Sequence, residues 1–332
     1  MSAPKVHPND YIDFLIATPK AYSATEAARV QPDQPDPPAH DAFTRLLTRL
    51  EPDPDTLWQE SRTQLVRTTG VLVIDDSTLD KPYARSIELV TRHWSGKHHA
   101  VVNGINLVSL LWTDGDRHIP CDYRVYDKSD ARTKNDHFAD MIRVAYARGF
   151  RPRCVLFDGW YSSLGNLKLI RSCGWVWLTR LKSNRLVNLN HRGTRALKDT
   201  AVAATGTEVW LPGYGLVKVF GIAAPDGSTA YWATNDPGMT DLTRLQFAVS
   251  SWAIEHYHRG IKQCTGIERC QCRTARAQRN HIGLALRAFL RFEAHCFFRG
   301  ISWVEAKMAI TREAVRAYLA RPHICFPRLR TA

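Results

Sequence analysis

The sequence predicts an α/β fold: a mixed sheet flanked by helices, interrupted by a small β-rich insertion and preceded by a helical module. Three observations predict it. Two short apolar runs that end in acids, VLVID (71–75) and CVLFD (154–158), read as buried strands. Segments of helical periodicity alternate with them, which is the pattern of sheet-and-helix layers. A stretch rich in Gly and Pro with alternating apolar residues, 182–239, separates the strands from a helical C-terminal part.

Residues 1–38 are irregular in composition, and QPDQPDPPA (31–39) reads as a linker because Pro removes donors and clashes with the preceding turn. Phe43, Leu46, Leu47 and Leu50 then fall at i, i+3, i+4, i+7, an amphipathic helix that Pro52 and Pro54 stop. Asp55 is placed to cap a second helix carrying Leu57, Trp58 and Leu65. After the 71–75 strand, 100–111 and 117–126 read as strands of a hairpin around Asp114–Gly115. A helix over 133–148 buries Phe138, Met141, Ile142 and Ala145 and stops at Gly149. The 154–158 strand, a helix with Leu164, Leu167 and Ile170, and the strand WVWLTRL (175–181) follow. Helices are expected at about 240–263, 275–299 and 302–320. The resulting division is 1–68 (helical, a candidate DNA-binding module), 69–181 (first part of a catalytic core), 182–239 (β-rich insertion) and 240–332 (second part of the core). Internal repeats and long low-complexity segments are absent from the sequence.

Composition limits the function classes. Apolar residues make up 44% of the 332 residues, enough for a core, and the formal charge is +13, which points to a polyanionic partner such as nucleic acid. No apolar run approaches the ~20 residues of a membrane span, and MSAPKVHPND lacks the plan of a signal peptide. A cytoplasmic, nucleoid-associated protein is therefore expected, with its eight Cys kept as thiols.

Ligand sites in such sheets lie at the carboxyl ends of strands, where this reading places Asp75, Asp76 and Asp158. Phosphodiester chemistry needs a nucleophile active near neutral pH and neutralised charge on the attacking and leaving oxygens; two divalent ions held by carboxylates do both. Because strand neighbours point to opposite faces, one member of the Asp75/Asp76 pair faces such a site. Each acid also has a plain structural reading. Asp75 and Asp76 could serve a turn, Asp158 could open one with Gly159, and Glu255 could pair with Arg259 at i+4 on a helix surface.

The segments IDDST, VLFDGWYS and WAIEHYHRGIKQ together resemble the insertion-sequence DDE transposases that carry a β-strand insertion between the second Asp and the Glu. The resemblance spans roughly residues 40–300 and is most specific in the Trp-x-Ile-Glu segment with Lys seven residues after the Glu. It implies a ribonuclease-H-like catalytic core, with Asp158 and Glu255 as second and third acids. The first is Asp76, favoured because the family's Asp precedes Thr or Ser, or else Asp75. It implies Mg²⁺ or Mn²⁺, in two ions, as cofactor, and cleavage at transposon ends followed by strand transfer through the freed 3′-hydroxyl. The implied partners are terminal inverted repeats and target DNA, engaged by a homodimer. Lys262 matches a family lysine that contacts DNA phosphate and lies about two helical turns from Glu255. The family's Tyr and Arg before the Glu are here Ala248 and Ser251, a departure for which His256, His258 and Arg259 are candidate substitutes. Other readings are a DNA-binding relic without catalysis and a nuclease of the same fold acting on other nucleic acid.

The turn after the Glu-bearing helix adds Arg273, Arg276 and Arg279 as candidate phosphate contacts. Cys264, Cys270 and Cys272 with His281 have a loose metal-ligand look but lack zinc spacing, and the cysteines read as packed or partly exposed thiols. Trp160 and Tyr161 read as core, with base stacking as the functional alternative. His93, His98 and His99 read as exposed with Trp94 and Lys97 in a basic loop.

Overall fold

The computed structural model describes residues 3–95, 99–191 and 193–322. Its first regular elements lie in the stretch whose composition reads as irregular: α1 (Pro8–Ala17) and α2 (Ala24–Arg29). Pro8 opens α1 at a position where its missing N–H costs nothing, and the Asp10 carboxylate accepts from the His7 N–H at 2.7 Å. Tyr11, Ile12, Phe14 and Leu15 make its buried stripe. Helices α3 (His40–Arg49) and α4 (Pro54–Ser61) follow. The cap of α4 is Asp53 rather than Asp55: its side chain accepts from the N–H groups of Asp55 and Thr56. Pro54, expected to stop a helix, is the first residue of α4.

Four strands come next, β1 (Val71–Asp80), β2 (Thr91–Ser95), β3 (Ala100–Thr113) and β4 (His118–Tyr126). Then come α5 (Lys134–Ala147), β5 (Val155–Phe157), α6 (Leu164–Ser172) and β6 (Trp177–Leu181). Strand β1 pairs antiparallel with β3 and β3 with β4, while β5 and β6 continue parallel to β1. The order β4-β3-β1-β5-β6, three antiparallel strands followed by two parallel ones, is the ribonuclease-H-like arrangement.

Strands β7 (Leu186–Val187), β8 (Arg195–Ala196), β9 (Thr207–Leu211), β10 (Gly215–Ala223) and β11 (Thr229–Thr234) occupy the β-rich segment. It is not a detached unit. Strand β11 pairs antiparallel with β6, and β10 and β9 follow, so one sheet runs through core and insertion alike. The C-terminal part holds α7 (Asp241–Ser250), α8 (Trp252–Cys264), α9 (Ala275–Arg299) and α10 (Trp303–Ala320). The single helix expected over 240–263 is broken at Ser251, whose hydroxyl donates to the Ala248 carbonyl at 2.6 Å. A side chain that bonds its own helix backbone commonly bends it; α8, beyond the break, packs on β1.

Helix α9 is largely buried, polar Gln278, Asn280, His281 and Glu293 included, and lies between α1, α3 and α4 on one side and β4 and α8 on others. The N-terminal helices thus share one continuous core with the sheet. Gly260 allows α8 to approach closely, since a methyl group there would meet the Phe289 and Trp303 rings at 2.7 and 2.8 Å. Buried Asn280 on α9 donates to the carbonyls of Leu47 and Leu50 at 2.7 and 2.8 Å, closing the C-terminus of α3. Asn280→Ala strands both carbonyls, so we expect a loss of about 1–3 kcal/mol of unfolding free energy. An unchanged urea midpoint would contradict that role. Among the described residues, no helix is long and apolar enough to cross a membrane.

Candidate active site

Register places the acids. The last parallel pairs are Ile74 with Phe157 and Phe157 with Thr179. One residue further on, Asp75, Asp158 and Arg180 therefore stand in a row across β1, β5 and β6, and Arg180 pairs with Trp232 of β11. Parallel pairing of β1 stops there, although β1 itself runs on to Asp80 against β3. Asp75 and Asp76 are thus mid-strand rather than at a strand end, and what ends beside Asp75 is the parallel pairing. Asp75, Asp158 and Glu255 line one cavity of about 240 Å³, together with Arg180, Trp232 and Trp252. Glu255 projects from the first turn of α8, which packs on β1.

The two members of the Asp75/Asp76 pair have opposite environments. Asp76 is clamped. Lys134 Nζ and Asn106 Nδ2 donate to its Oδ2 at 2.8 and 2.6 Å, and Tyr161 OH donates to Oδ1 at 2.6 Å. Burial works against its charge, but these partners, Lys134 foremost, hold its carboxyl below the usual range. Asp75 has no ion pair among the described residues. Burial pushes its carboxyl well up, and the charges of Asp76, Glu255 and Asp158 push it further. Asp75 shares the cavity with Asp158 and Glu255, while Asp76, the member favoured by the resemblance, does not line it. Strand alternation accounts for the split. The Lys134–Tyr161–Asn106 clamp is absent from the sequence reading because its members come from α5, the turn after β5, and β3.

A second, wider cavity of about 970 Å³ shares Glu255 and Trp252 and takes in Asp76, Arg259, Lys262 and Arg269. Lys262 sits there with Nζ donating to the Thr78 carbonyl at 2.7 Å and 4.0 Å from Glu268. Arg259 is exposed. His258, a candidate DNA contact, is corrected: it is only 5% exposed, and burial together with Lys262 pulls its ring down to about 3, so it is a neutral packed side chain. Arg273 and Arg276 are exposed, with Arg276 pairing to Glu51 at 2.7 Å. Arg279 is turned inward to Asp127.

His93 is buried, bonded to Thr91 Oγ1 at 2.7 Å, and burial lowers it to about 4, whereas His99 is exposed. His98 and Lys97 lie outside the described residues. Tyr161 is core, but Trp160 is 60% exposed. The His281 ring is engaged by the Tyr11 hydroxyl and the Gly266 carbonyl, and Cys264 and Cys270 are buried.

The family description "DDE superfamily endonuclease" matches residues 15–201, more than half of the chain. The chain belongs to the DDE superfamily endonucleases. Within this DDE endonuclease the match contains Asp75, Asp76 and Asp158 and ends before Glu255. No curated protein matches its sequence. Among solved structures it is similar to one described as a cryo-EM structure of piggyBac transposase synaptic complex with hairpin DNA. The identity is 12%, with 97% of this chain and 70% of that one covered and a TM-score of 0.47.

Proposed function

We propose that this DDE endonuclease is a transposase: it cleaves DNA at the ends of a mobile element and joins the freed 3′-hydroxyl to target DNA. One observation carries the reading. Asp75, Asp158 and Glu255 converge on a single cavity at the end of the parallel strands, and among the described residues none of them is in an ion pair. Burial, and after it the charges of Asp76, Glu255 and Asp158, raise the Asp75 carboxyl, and a cation placed among these acids would offset both.

The donor set fits Mg²⁺ or Mn²⁺, which prefer hard oxygen ligands. Among the described residues no three His, Cys, Asp or Glu side chains form a ready-made cation site. An ion held by these acids would need phosphate oxygens or water as further ligands, as is usual for Mg²⁺. Asp75, Asp158 and Glu255 would hold two such ions, which when bound activate water and neutralise the charge on attacking and leaving oxygens. The chain's own residues have distinct tasks. Asp76, fixed by three donors, locks β1 so that Asp75 faces the cavity. Arg180, next in the row to Asp158, offers a guanidinium to the phosphate that reacts there. Lys262 and Arg259 line the wider cavity and would receive the flanking DNA backbone, with Arg273 and Arg276 further along the turn after α8. On this reading a homodimer engages the terminal inverted repeats, and the partly exposed N-terminal helices contribute to binding the ends.

The test is cleavage of duplex DNA carrying the element's ends, with Mg²⁺ or Mn²⁺, compared with RNA of the same sequence. DNA cleavage with strand transfer is expected. Cleavage of RNA alone, or metal-independent cleavage, would overturn the reading. Arg259→Ala should weaken DNA binding across all sequences and lower the salt dependence of log K by about one phosphate contact. An unchanged slope would remove Arg259 from the interface.

A further inference from the structure

The segment between α8 and α9 carries two thiols for which DNA cleavage has no use. Cys270 and Cys272 stand one residue apart. Gln271 between them is exposed, Cys270 is only 3% exposed and Cys272 is half-buried, so both sulfurs lie on the inner side of the turn. The two side chains are hydrogen-bonded to each other, the Cys270 thiol donating to the Cys272 sulfur. The backbone around them is pinned. Fully buried Gln278 of α9 donates from Nε2 to the carbonyls of Cys270 and Cys272 at 3.2 and 2.6 Å. Just beyond, the Glu88 N–H donates to the Arg273 carbonyl at 2.8 Å.

Lys81, the residue after β1, is brought in against this pair. It is 4% exposed, its Nζ donates to the Cys270 carbonyl at 2.7 Å, and it forms no ion pair among the described residues. An ammonium buried without a carboxylate on it is costly. Burial pulls Lys81 down, and negative charge on Cys270, Glu268 and Cys272 works the other way. In return Cys272 is brought down to about 7, by the Cys270 hydrogen bond first and by Lys81 as well, against its own burial. Tyr11 of α1 and His281 of α9, also near the pair, are buried and bonded to each other at 2.9 Å, and burial pulls His281 down to about 3, which leaves it neutral. Glu268 and Arg269 of the turn complete the ionisable surroundings. The other described thiols differ: burial raises Cys121, Cys154, Cys173, Cys264 and Cys296 alike.

We propose that Cys270 and Cys272 form a dithiol that a hydroperoxide oxidises reversibly to a disulfide, with Cys272 the sulfur that reacts first and Cys270 the one that closes the bond. The thiolate is the nucleophile in such a step, and a neighbouring cation and a thiol donor favour it at Cys272. Its sulfur attacks one peroxide oxygen. The O–O bond breaks, the second oxygen leaves as hydroxide, and that hydroxide takes up the proton Cys272 had released. The Cys270 sulfur then attacks the sulfenic sulfur. An S–S bond forms, the S–O bond breaks, and the departing hydroxide takes the Cys270 proton. Two thiols are oxidised and one hydrogen peroxide is reduced to two waters. Neither DNA nor the carboxylate cavity takes part, so the outcome is independent of the cleavage reading.

The full chain, reduced and freed of reductant, is treated with hydrogen peroxide at neutral pH, its remaining thiols are blocked with iodoacetamide, and a digest is read by mass spectrometry. The segment holding Cys270 and Cys272 should be unblocked and two hydrogens lighter, and dithiothreitol should restore it. In Cys270→Ser the reaction should stop at a sulfenic acid on Cys272, which dimedone captures. In Cys272→Ser the buried Cys270 should stay reduced. Without peroxide, iodoacetamide should modify Cys272 roughly 5- to 10-fold faster than Cys173, a half-buried thiol with no cation or thiol donor recorded beside it. Lys81→Met should remove part of that advantage, and Lys81→Arg, which keeps the charge, should retain it. A pair still reduced once Cys173 is oxidised, a Cys272 no faster than Cys173, or no dimedone adduct in Cys270→Ser overturns the proposal.

Discussion

Asp158→Asn and Glu255→Gln are each expected to lower metal-dependent DNA cleavage by at least about 10³-fold, because a ligand to a catalytic ion supplies several kcal/mol of charge stabilisation. Both side chains are exposed on the wall of the cavity, and neither is in an ion pair among the described residues. The amides should therefore fold with unchanged circular dichroism and unfolding midpoint. The pair is a sharper test than either alone. The two acids come from different elements, β5 and α8, and equal losses point to a shared task rather than two local ones. Activity within tenfold of wild type in either variant would detach that acid from the site.

The second large effect separates Asp75 from Asp76. Asp75→Asn should abolish cleavage like the other two, yet raise stability by about 1 kcal/mol, as removal of clustered like charges at functional sites commonly does. Asp76→Asn should do the opposite to the fold. It leaves Lys134, whose side chain is only 21% exposed, without its partner, at a cost of about 2–4 kcal/mol given partial burial. The pH dependence follows. The folded-state carboxyl of Asp75 is raised, so ionising it costs more in the folded chain than in the unfolded one. Wild type then loses stability as pH rises above the unfolded value near ~3.9. The advantage of Asp75→Asn should therefore grow with pH through the carboxylate range and vanish at the acid end. Asp76 is lowered, so its contribution is present above that value and lost as pH falls through its folded-state range. Urea unfolding of the two variants between pH 3 and 7 checks both signs, and stability changes of the same sign in the two would contradict the division of roles.

Much of the architecture is legible in the sequence, and the misses have definite causes. VLVID and CVLFD are strands because uninterrupted apolar runs suit a sheet covered on both faces, and the Asp114–Gly115 turn joins β3 to β4 as expected. Helix α1 is hard to read from composition because it is only ten residues long and its apolar stripe is short. The break at Ser251 is invisible because the pattern around it keeps helical period; only the hydroxyl bond to Ala248 reveals it. The choice between Asp75 and Asp76 depends on which face of β1 meets α8, a matter of register with β5 that no local pattern encodes. Arg180 and Trp232 join the row for the same reason, through pairings of β5 with β6 and β6 with β11. His258 lies on the Glu255-bearing helix and looks like a surface residue beside Arg259, but it falls on the buried face of α8 with Ile254, Tyr257 and Ile261.

On the proposed division of roles, Asp75, Asp158 and Glu255 act together as ligands for a divalent cation while Asp76 serves the fold. Mn²⁺ binding followed by electron paramagnetic resonance, in the presence of DNA carrying the element's ends, tests this most directly. Wild type should bind Mn²⁺, and Asp75→Asn, Asp158→Asn and Glu255→Gln should each lose most of that binding. Asp76→Asn, held at a temperature where it remains folded, should retain it. Binding that survives in Asp158→Asn and Glu255→Gln, or that disappears only in Asp76→Asn, would contradict the assignment.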